Sequence, residues 1–177
     1  MRPTIALLAL VLATPAFAQA PKKPPEKPAP AAAAEPKELG KFEDWIAATH
    51  QESGQTVCYA FVRASTSAPA LPSRGPVILT VTERPTGRDA VAITAGYTYP
   101  KGAAVTMQVG TTGLDFYTSG SDAFARDGKA AVAAFQKGEQ ALTRAPGPRE
   151  GQVMADTYSL KGFSAAYAAI NKACPPR

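Results

Sequence analysis

Short runs of apolar residues alternate with polar turns along most of the chain, and β-branched and aromatic residues are frequent within these runs. This pattern is typical of half-buried strands that belong to a β-sandwich. The polar, proline-containing segment 65–75 is predicted to be a loop. The predicted strands cover residues 42–48, 56–64, 77–83, 90–97, 104–109, 114–118, 123–126, 140–144 and 152–158.

Two segments depart from the strand pattern and predict helices. Residues 127–138 are rich in alanine, with Val132 and Phe135 on one helical face and Gly138 placed to end the helix. A second helix is predicted after Ser159, whose hydroxyl is a good N-cap. Gly162 is unfavourable within a helix, and a close approach to a strand would explain it.

The second helix carries one apolar stripe at helical spacing, which predicts that the helix packs across the sheet. Pro175 and Pro176 follow the stripe and stop the helix. The stripe consists of Leu160, Phe163, Tyr167, Ile170 and Cys174.

The first 38 residues predict a targeting segment and a linker rather than part of the fold. Residues 1–18 have the pattern of a secretory signal, with Arg2, a short apolar run and an Ala16-Phe17-Ala18 motif, so cleavage is expected after Ala18. Residues 19–38 contain mainly proline, alanine and lysine, which predicts a disordered linker. The folded domain is expected to span residues 39–177, with no membrane-spanning segment.

The formal net charge of +5 is spread along the chain rather than concentrated in a basic run. A nucleic-acid-binding protein would be expected to cluster its basic residues on one surface. We therefore expect no nucleic-acid partner.

The two cysteines, Cys58 and Cys174, are predicted to form a disulfide. Cys58 lies within a predicted strand, on the face opposite to Tyr59 and Phe61, and Cys174 ends the apolar stripe. A secreted protein meets an oxidising compartment, where a disulfide is the simplest fate of two cysteines. A structural zinc site needs four cysteine or histidine ligands, and this chain has one histidine, so we expect no metal.

Residues for catalysis are few. His50 is the only imidazole, and its polar surroundings predict a turn. Glu43 and Asp44 are neighbours in a predicted strand and would point to opposite faces, while Asp122 and Asp127 are expected to be solvated. The chain contains neither a nucleophile-elbow motif nor a phosphate-binding loop. We predict no catalytic residue and no cofactor.

Aromatic residues provide the candidate binding surface. Tyr97 and Tyr99 alternate along one predicted strand next to Lys101 and would point the same way. They are interpreted as core residues or as a binding patch, and the core interpretation is favoured.

Several motifs together resemble the invasion-associated locus B family of alphaproteobacterial envelope proteins. They are GKFEDWIA, GQTVCYAF, VTERP, AVAITAGYTYPKGAAVTMQVG, DGKAAVAAFQKG and DTYSLKGFSAAYAAINKAC, within residues 40–174. The most specific are VCYAF and DTYSLKGFSAA, whereas RAPGPREG, before the last strand, departs from the family pattern. The resemblance implies an immunoglobulin-like β-sandwich, a secreted or periplasmic location and no known catalytic residues.

The combined expectation is a mainly β, non-enzymatic binding protein of the cell envelope, with a short helix and a C-terminal helix packed on a sandwich. Its partner would be an envelope protein or a component of the cell surface. One alternative is an enzyme of unrecognised type, or an accessory subunit of one. Another is a structural protein that binds the cell wall or the outer membrane, and the family's name adds a role in host-cell invasion.

Overall fold

The computed structural model describes residues 35–176. The predicted signal peptide and residues 19–34 of the predicted linker lie outside the described residues. The first strand begins at Lys37, two residues before the domain boundary expected from the sequence.

Eleven strands and two short helices make up the described chain, which confirms the predicted mainly β sandwich with two helices. Neither helix is long and apolar enough to cross a membrane. The strands are β1 (Lys37–Phe42), β2 (Trp45–Glu52), β3 (Gln55–Arg63), β4 (Thr66–Ala68), β5 (Ile78–Arg84), β6 (Gly87–Thr94), β7 (Ala104–Val109), β8 (Thr112–Ser119), β9 (Asp122–Ala125), β10 (Gln140–Pro146) and β11 (Val153–Ser159). The helices are α1 (Gly128–Phe135), between β9 and β10, and α2 (Phe163–Ala173), after β11.

All strand pairs are antiparallel, and the order across the sheet is β1-β2-β3-β5-β6-β9-β8-β7-β10-β11-β4. In this order β3 lies near one end and β4 lies at the other. Only two residues separate the two strands in the sequence, so the sheet must fold back on itself and bring its ends together. Ala64 N donates to Val77 O and Ser65 N donates to Thr157 O, so one short segment links both layers. The sequence missed β4, which lies in the predicted loop 65–75.

The two-residue period of the sequence places one side of each strand in a common core. In β5, Leu79 and Val81 are fully buried and alternate with partly exposed residues. The large side chains Trp45, Phe116 and Phe163 fill the space between the layers and the helices. The Trp45 and Phe163 rings are tilted by 60° with their centres 4.8 Å apart, and Trp45 Nε1 donates to Ser159 O at 3.0 Å.

Helix α2 packs on β1, β2 and β3 through the predicted apolar stripe. Its start differs from the prediction, because β11 continues to Ser159, and Ser159 accepts a hydrogen bond from Lys161 N instead of capping the helix. The N-cap is Gly162, in the left-handed region at φ 84°. A Cβ atom there would lie 2.0 Å from Phe42 O, so the predicted close approach to a strand is confirmed.

Helix α1 begins as predicted but ends differently. The Asp127 side chain accepts from Ala130 N and caps the helix. Gly138 donates to Ala134 O, but it is not in the left-handed conformation predicted for a helix-ending glycine. A Cβ atom on Gly138 would lie 2.3 Å from Val109 Cγ1, so close packing accounts for this glycine.

The predicted strand 42–48 is two strands. Phe42 ends β1 and Trp45 begins β2, with Glu43 and Asp44 forming the turn between them. Glu43 adopts a positive φ of 51°, which a strand does not allow. Glu43 and Asp44 are therefore turn residues and not neighbours in a strand.

Candidate functional site

The predicted disulfide between Cys58 and Cys174 is present, and both cysteines are accounted for by it. Their Cα atoms are 5.9 Å apart, and 116 positions separate them in the sequence. Cys58 projects from the inner face of β3, and Cys174 is the C-cap residue of α2. The bond fixes the C-terminal end of the chain to an early strand. A buried structural disulfide indicates an extracytoplasmic protein.

The predicted binding surface of Tyr97, Tyr99 and Lys101 is not an exposed aromatic patch. The strand ends at Thr94, and the chain then turns inward at Gly96, where φ is 72°. Tyr99 is only 7% exposed, and the two rings meet edge to face at 5.2 Å. Tyr99 belongs to the core, Tyr97 is partly buried and packs against it, and Lys101 is exposed in a turn.

Hydrogen bonding and burial hold these tyrosines in the core. Tyr97 donates to Pro146 O at 2.9 Å, and burial raises the pKa of Tyr97 to about 12. The pKa of Tyr99 is raised by the same cause. Both phenols are therefore neutral at physiological pH and have a structural role.

A buried ion pair, which the sequence analysis did not identify, lies next to these rings. Arg74 donates to both carboxylate oxygens of Asp156, at 2.7 and 2.8 Å, and the two side chains are 6% exposed. Arg74 Nε also donates to Ala95 O, and the guanidinium carbon lies 5.2 Å from the centre of the Tyr97 ring. This paired geometry satisfies both charges and fixes the loop after β4 to the core.

The other acidic residues considered for catalysis also have local partners. Asp122 accepts from Thr94 Oγ1 at 2.7 Å, and Asp127 caps α1. Within residues 35–176, no group of three or more histidine, cysteine, aspartate or glutamate side chains is arranged to hold a metal ion. Asp122 therefore joins β9 to β6, and Asp127 stabilises the start of α1.

A cluster of partly exposed rings lies on the outer side of β2, β3 and β5. His50, Tyr59 and Phe61, which we call the aromatic face, lie there side by side and are partly exposed. The His50 and Tyr59 rings meet edge to face at 5.4 Å, and the Tyr59 and Phe61 rings stack at 6.0 Å. Alternation along β3 requires this placement, because Cys58 and Ala60 face inward.

The aromatic face forms the floor of a cavity of about 650 Å³ that opens to solvent. Aliphatic and threonine side chains of β5 extend the floor, and charged groups lie at its rim. The lining residues are Glu35, Pro36, His50, Tyr59, Phe61, Arg63, Ile78, Thr80, Thr82 and Arg84. A second cavity of about 340 Å³ shares Phe61 and Arg63 with it.

His50 was predicted to lie in a polar turn, but it belongs to β2, opposite Val57 in β3. The turn is shorter than predicted and is made by Ser53 and Gly54, both at positive φ. Glu52, at the end of β2, accepts from Arg84 Nε at 2.8 Å, and this bond lowers the pKa of Glu52. Because His50 lies in β2 beside β3, its ring meets that of Tyr59 and forms part of the aromatic face.

Comparisons with known proteins support the resemblance seen in the sequence. A search of curated proteins finds no match. Among solved structures, the chain resembles the crystal structure of invasion associated protein b from Bartonella henselae, with a TM-score of 0.58 and 17% identity over 76% of this chain and 95% of that one. At this identity the likeness shows the fold. The sequence model of the invasion associated locus B (IalB) proteins matches residues 45–171, and the chain therefore belongs to this family.

Proposed function

We propose that this protein is a non-enzymatic binding module of the bacterial cell envelope and that it contacts its partner through the aromatic face. In this proposal the signal peptide is removed after Ala18, and the protein acts in the periplasm or after secretion. The disulfide and the family support an extracytoplasmic location. The partner is an envelope protein or a cell-surface component.

The aromatic face is the observation that carries the proposal. Clustered aromatic side chains that stay partly exposed at the surface of a folded domain are typical of interaction sites, because each ring buries a large area at a small cost in conformational entropy. Tyr59 and Phe61 are held in place by β3 and its two neighbouring strands, so the surface is formed before a partner arrives. A partner with an apolar segment would cover the rings, and a carboxylate on it would reach Arg63 at the rim.

The titratable groups support binding better than catalysis. His50 lies in a wide, largely apolar cavity, while Asp122, Asp127 and Asp156 each serve a hydrogen bond or an ion pair within the fold. General acid–base catalysis requires groups positioned around a substrate with suitable pKa values. The enzyme alternative has less structural support.

Site-specific photocrosslinking in cells tests the proposal. A photoreactive phenylalanine analogue is placed at position 61, in the aromatic face, or at position 117, where Tyr117 is 47% exposed on β8. We expect a discrete crosslinked species from position 61 that is absent from position 117. Equal products from both positions, or none from position 61, would contradict the proposal.

The identity of the crosslinked species separates the candidate partners. A protein species supports an envelope protein partner. Crosslinking to wall or outer-membrane material that weakens with salt favours the cell-wall alternative, because a contact through Arg63 and Arg84 would be screened. An invasion role, which the family's name suggests, predicts that loss of the crosslink is accompanied by reduced entry into host cells.

A further inference from the structure

A proline of this chain lies at the edge of the cavity above the aromatic face. Pro36 immediately precedes β1 and is one of the residues that line the cavity. In the register of the sheet Lys37 lies opposite Thr49. Pro36, one residue earlier, therefore comes opposite His50, and residues directly opposite each other share one face of a sheet. The structure thus already places a proline beside the aromatic face.

The aromatic face is about as long as one turn of a polyproline II helix. The centres of the His50 and Tyr59 rings are 5.4 Å apart, and those of Tyr59 and Phe61 are 6.0 Å apart. A polyproline II helix has three residues per turn and rises roughly 9 Å over that turn. One turn laid along the face would set two prolines, three residues apart, against the two ends of the row of rings.

The side chains around the rings provide hydrogen-bond donors. The cavity is lined by the hydroxyl groups of Tyr59, Thr80 and Thr82 and by the guanidinium group of Arg63, all of which can donate. Burial raises the pKa of Tyr59, so its phenol keeps its proton. A proline-rich segment is complementary to this set, because proline has no backbone N–H and a polyproline II helix leaves its carbonyl oxygens without internal partners.

Other modes of peptide binding use this surface less well. The strands β2, β3 and β5 are each hydrogen-bonded to a neighbour on both sides, so they present no backbone edge to which a strand could be added. A bound helix satisfies its own backbone groups and would leave the donors of the cavity without acceptors. A polyproline II segment would use both the rings and the donors.

The rim of the cavity favours a ligand with negative charge. Arg63 follows Phe61 by two residues in β3, so it lies on the same side of the sheet and at the end of the row of rings. Arg84, also at the rim, donates from Nε to Glu52. Arg63 is therefore the cation that an acidic residue next to the prolines would meet.

We propose that the aromatic face binds a proline-rich segment of a partner protein in the polyproline II conformation, with an acidic residue beside the prolines that pairs with Arg63. This inference rests on the proposed function, because it names the chemistry of the partner at the same surface. The rings hold the prolines, and the Tyr59 hydroxyl donates to a carbonyl oxygen of the segment. A segment that is already extended before it binds loses little conformational entropy.

Fluorescence anisotropy with labelled synthetic peptides measures this binding to the oxidised chain without its predicted signal peptide. The probe consists of proline, alanine and glutamate, with prolines recurring every three residues. A second peptide has glycine in place of every proline, and we expect it to bind at least about tenfold more weakly, because it has no preformed conformation. A third has lysine in place of glutamate and should bind about fivefold more weakly, as expected for an exposed ion pair. No binding of the probe, or equal binding of the proline and glycine peptides, would overturn the proposal.

Variants of the aromatic face locate the bound peptide. Tyr59→Phe keeps the ring and removes only the hydroxyl, so we expect affinity for the probe to fall about fivefold, the usual effect of one hydrogen bond. Phe61→Ala should lower it at least about tenfold. Tyr117→Ala, on β8, should leave it unchanged. Circular dichroism establishes that each variant is folded, and Tyr59→Phe keeps the test open if Phe61→Ala is not. Unchanged affinity in Tyr59→Phe, or an equal loss in Tyr117→Ala, would contradict the proposed contacts.

Residues 19–34 contain prolines of their own, so a second form of the chain controls for competition with the probe. In this form serine replaces Pro21, Pro24, Pro25, Pro28 and Pro30. We expect the probe to bind it at least as tightly as it binds the natural chain. Failure of the probe to bind either form would overturn the proposal.

The photocrosslink from position 61 separates this inference from the proposed function. Mass spectrometry of the crosslinked species identifies the part of the partner that is attached. Attachment within a proline-rich stretch of a protein supports both proposals. Attachment to a protein segment without prolines, to a lipid or to a glycan overturns this inference and leaves the aromatic face as a binding surface. If position 61 gives no discrete species and the probe does not bind, both proposals fail.

Discussion

The two faces of β3 perform different tasks within one strand. On the inner face, Cys58, Ala60 and Val62 are almost completely buried and join the core and the disulfide. On the outer face, Tyr59 and Phe61 remain partly exposed and stack on each other. Because successive side chains point to opposite sides, residues that are adjacent in sequence have unrelated surroundings. Fold stability and the proposed binding surface should therefore be separable by substitution.

The neighbouring strand β5 shows the same division. Leu79 and Val81 are buried in the core, whereas Ile78 and Thr80 line the cavity above the aromatic face. The inner row also contains Glu83, which is fully buried and whose Oε2 atom lies 2.7 Å from Arg88 Nε. The difference between a buried inner face and a partly exposed outer face therefore extends over both β3 and β5. Substitutions on the two faces of these strands can test it.

Removing the disulfide should have the largest effect on the inner side. The double variant Cys58→Ala with Cys174→Ala leaves no free thiol and releases a loop closed over 116 positions. We expect the free energy of unfolding, measured with urea, to fall by about 4 kcal/mol, because the unfolded chain regains the entropy that the crosslink removed. A loss below about 1 kcal/mol would show that the bond contributes little to the inner layer.

Two adjacent aliphatic residues of β5 provide a matched comparison of the faces. Leu79→Ala creates a cavity in the core, so we expect the free energy of unfolding to fall by about 2–5 kcal/mol. Ile78→Ala removes a partly exposed side chain and should cost less than about 1 kcal/mol. Urea unfolding of both variants measures the difference. Similar losses would mean that the outer face is as closely packed as the core.

The pH dependence of stability tests the charged member of the inner row. Folded Glu83 holds its proton up to a pKa of about 7, whereas the unfolded residue releases it near 4.3, so stability from this group falls as pH rises between these values. Compared with the natural protein, Glu83→Gln should gain about 1–3 kcal/mol between pH 5 and 8, measured by urea unfolding. If the difference in unfolding free energy between the two proteins does not vary with pH, Glu83 is not the source of the pH dependence.

The sequence was sufficient where local patterning determines the structure. The alternation in β3 separated Cys58 from Tyr59 and Phe61, and the helical stripe brought Cys174 to the buried side of α2. With only two cysteines, these two placements led directly to the observed disulfide. The close approach to a strand at Gly162 was also predicted correctly, although this glycine precedes the helix as its left-handed N-cap and does not lie within it.

The sequence was less informative where distant parts of the chain decide the structure. The strand predicted to reach Tyr97 ends at Thr94, and the chain then turns at Gly96, which packs so closely against the backbone of Gly75 that a Cβ atom on Gly96 would lie 2.3 Å from Gly75 O. The pair of Arg74 and Asp156 spans 82 positions and leaves no local pattern. The aromatic face was missed for a related reason: alternation put Tyr59 and Phe61 on one side, but only the burial of the folded chain shows that this side faces solvent.

The smallest effect on stability, combined with the largest effect on binding, is expected at the aromatic face. Tyr59→Ala and Phe61→Ala each remove a partly exposed ring, so the free energy of unfolding should change by less than about 1 kcal/mol. Each should nevertheless strongly reduce the amount of partner recovered by chemical crosslinking in cells, because aromatic anchors contribute most of the energy of an interface. Tyr117→Ala, on β8, is the matched control and should preserve the crosslink. If the two aromatic-face variants unfold as easily as Leu79→Ala, their rings belong to the core and the distinction between the faces fails. If the variants stay stable and still crosslink to the partner, the partner binds elsewhere.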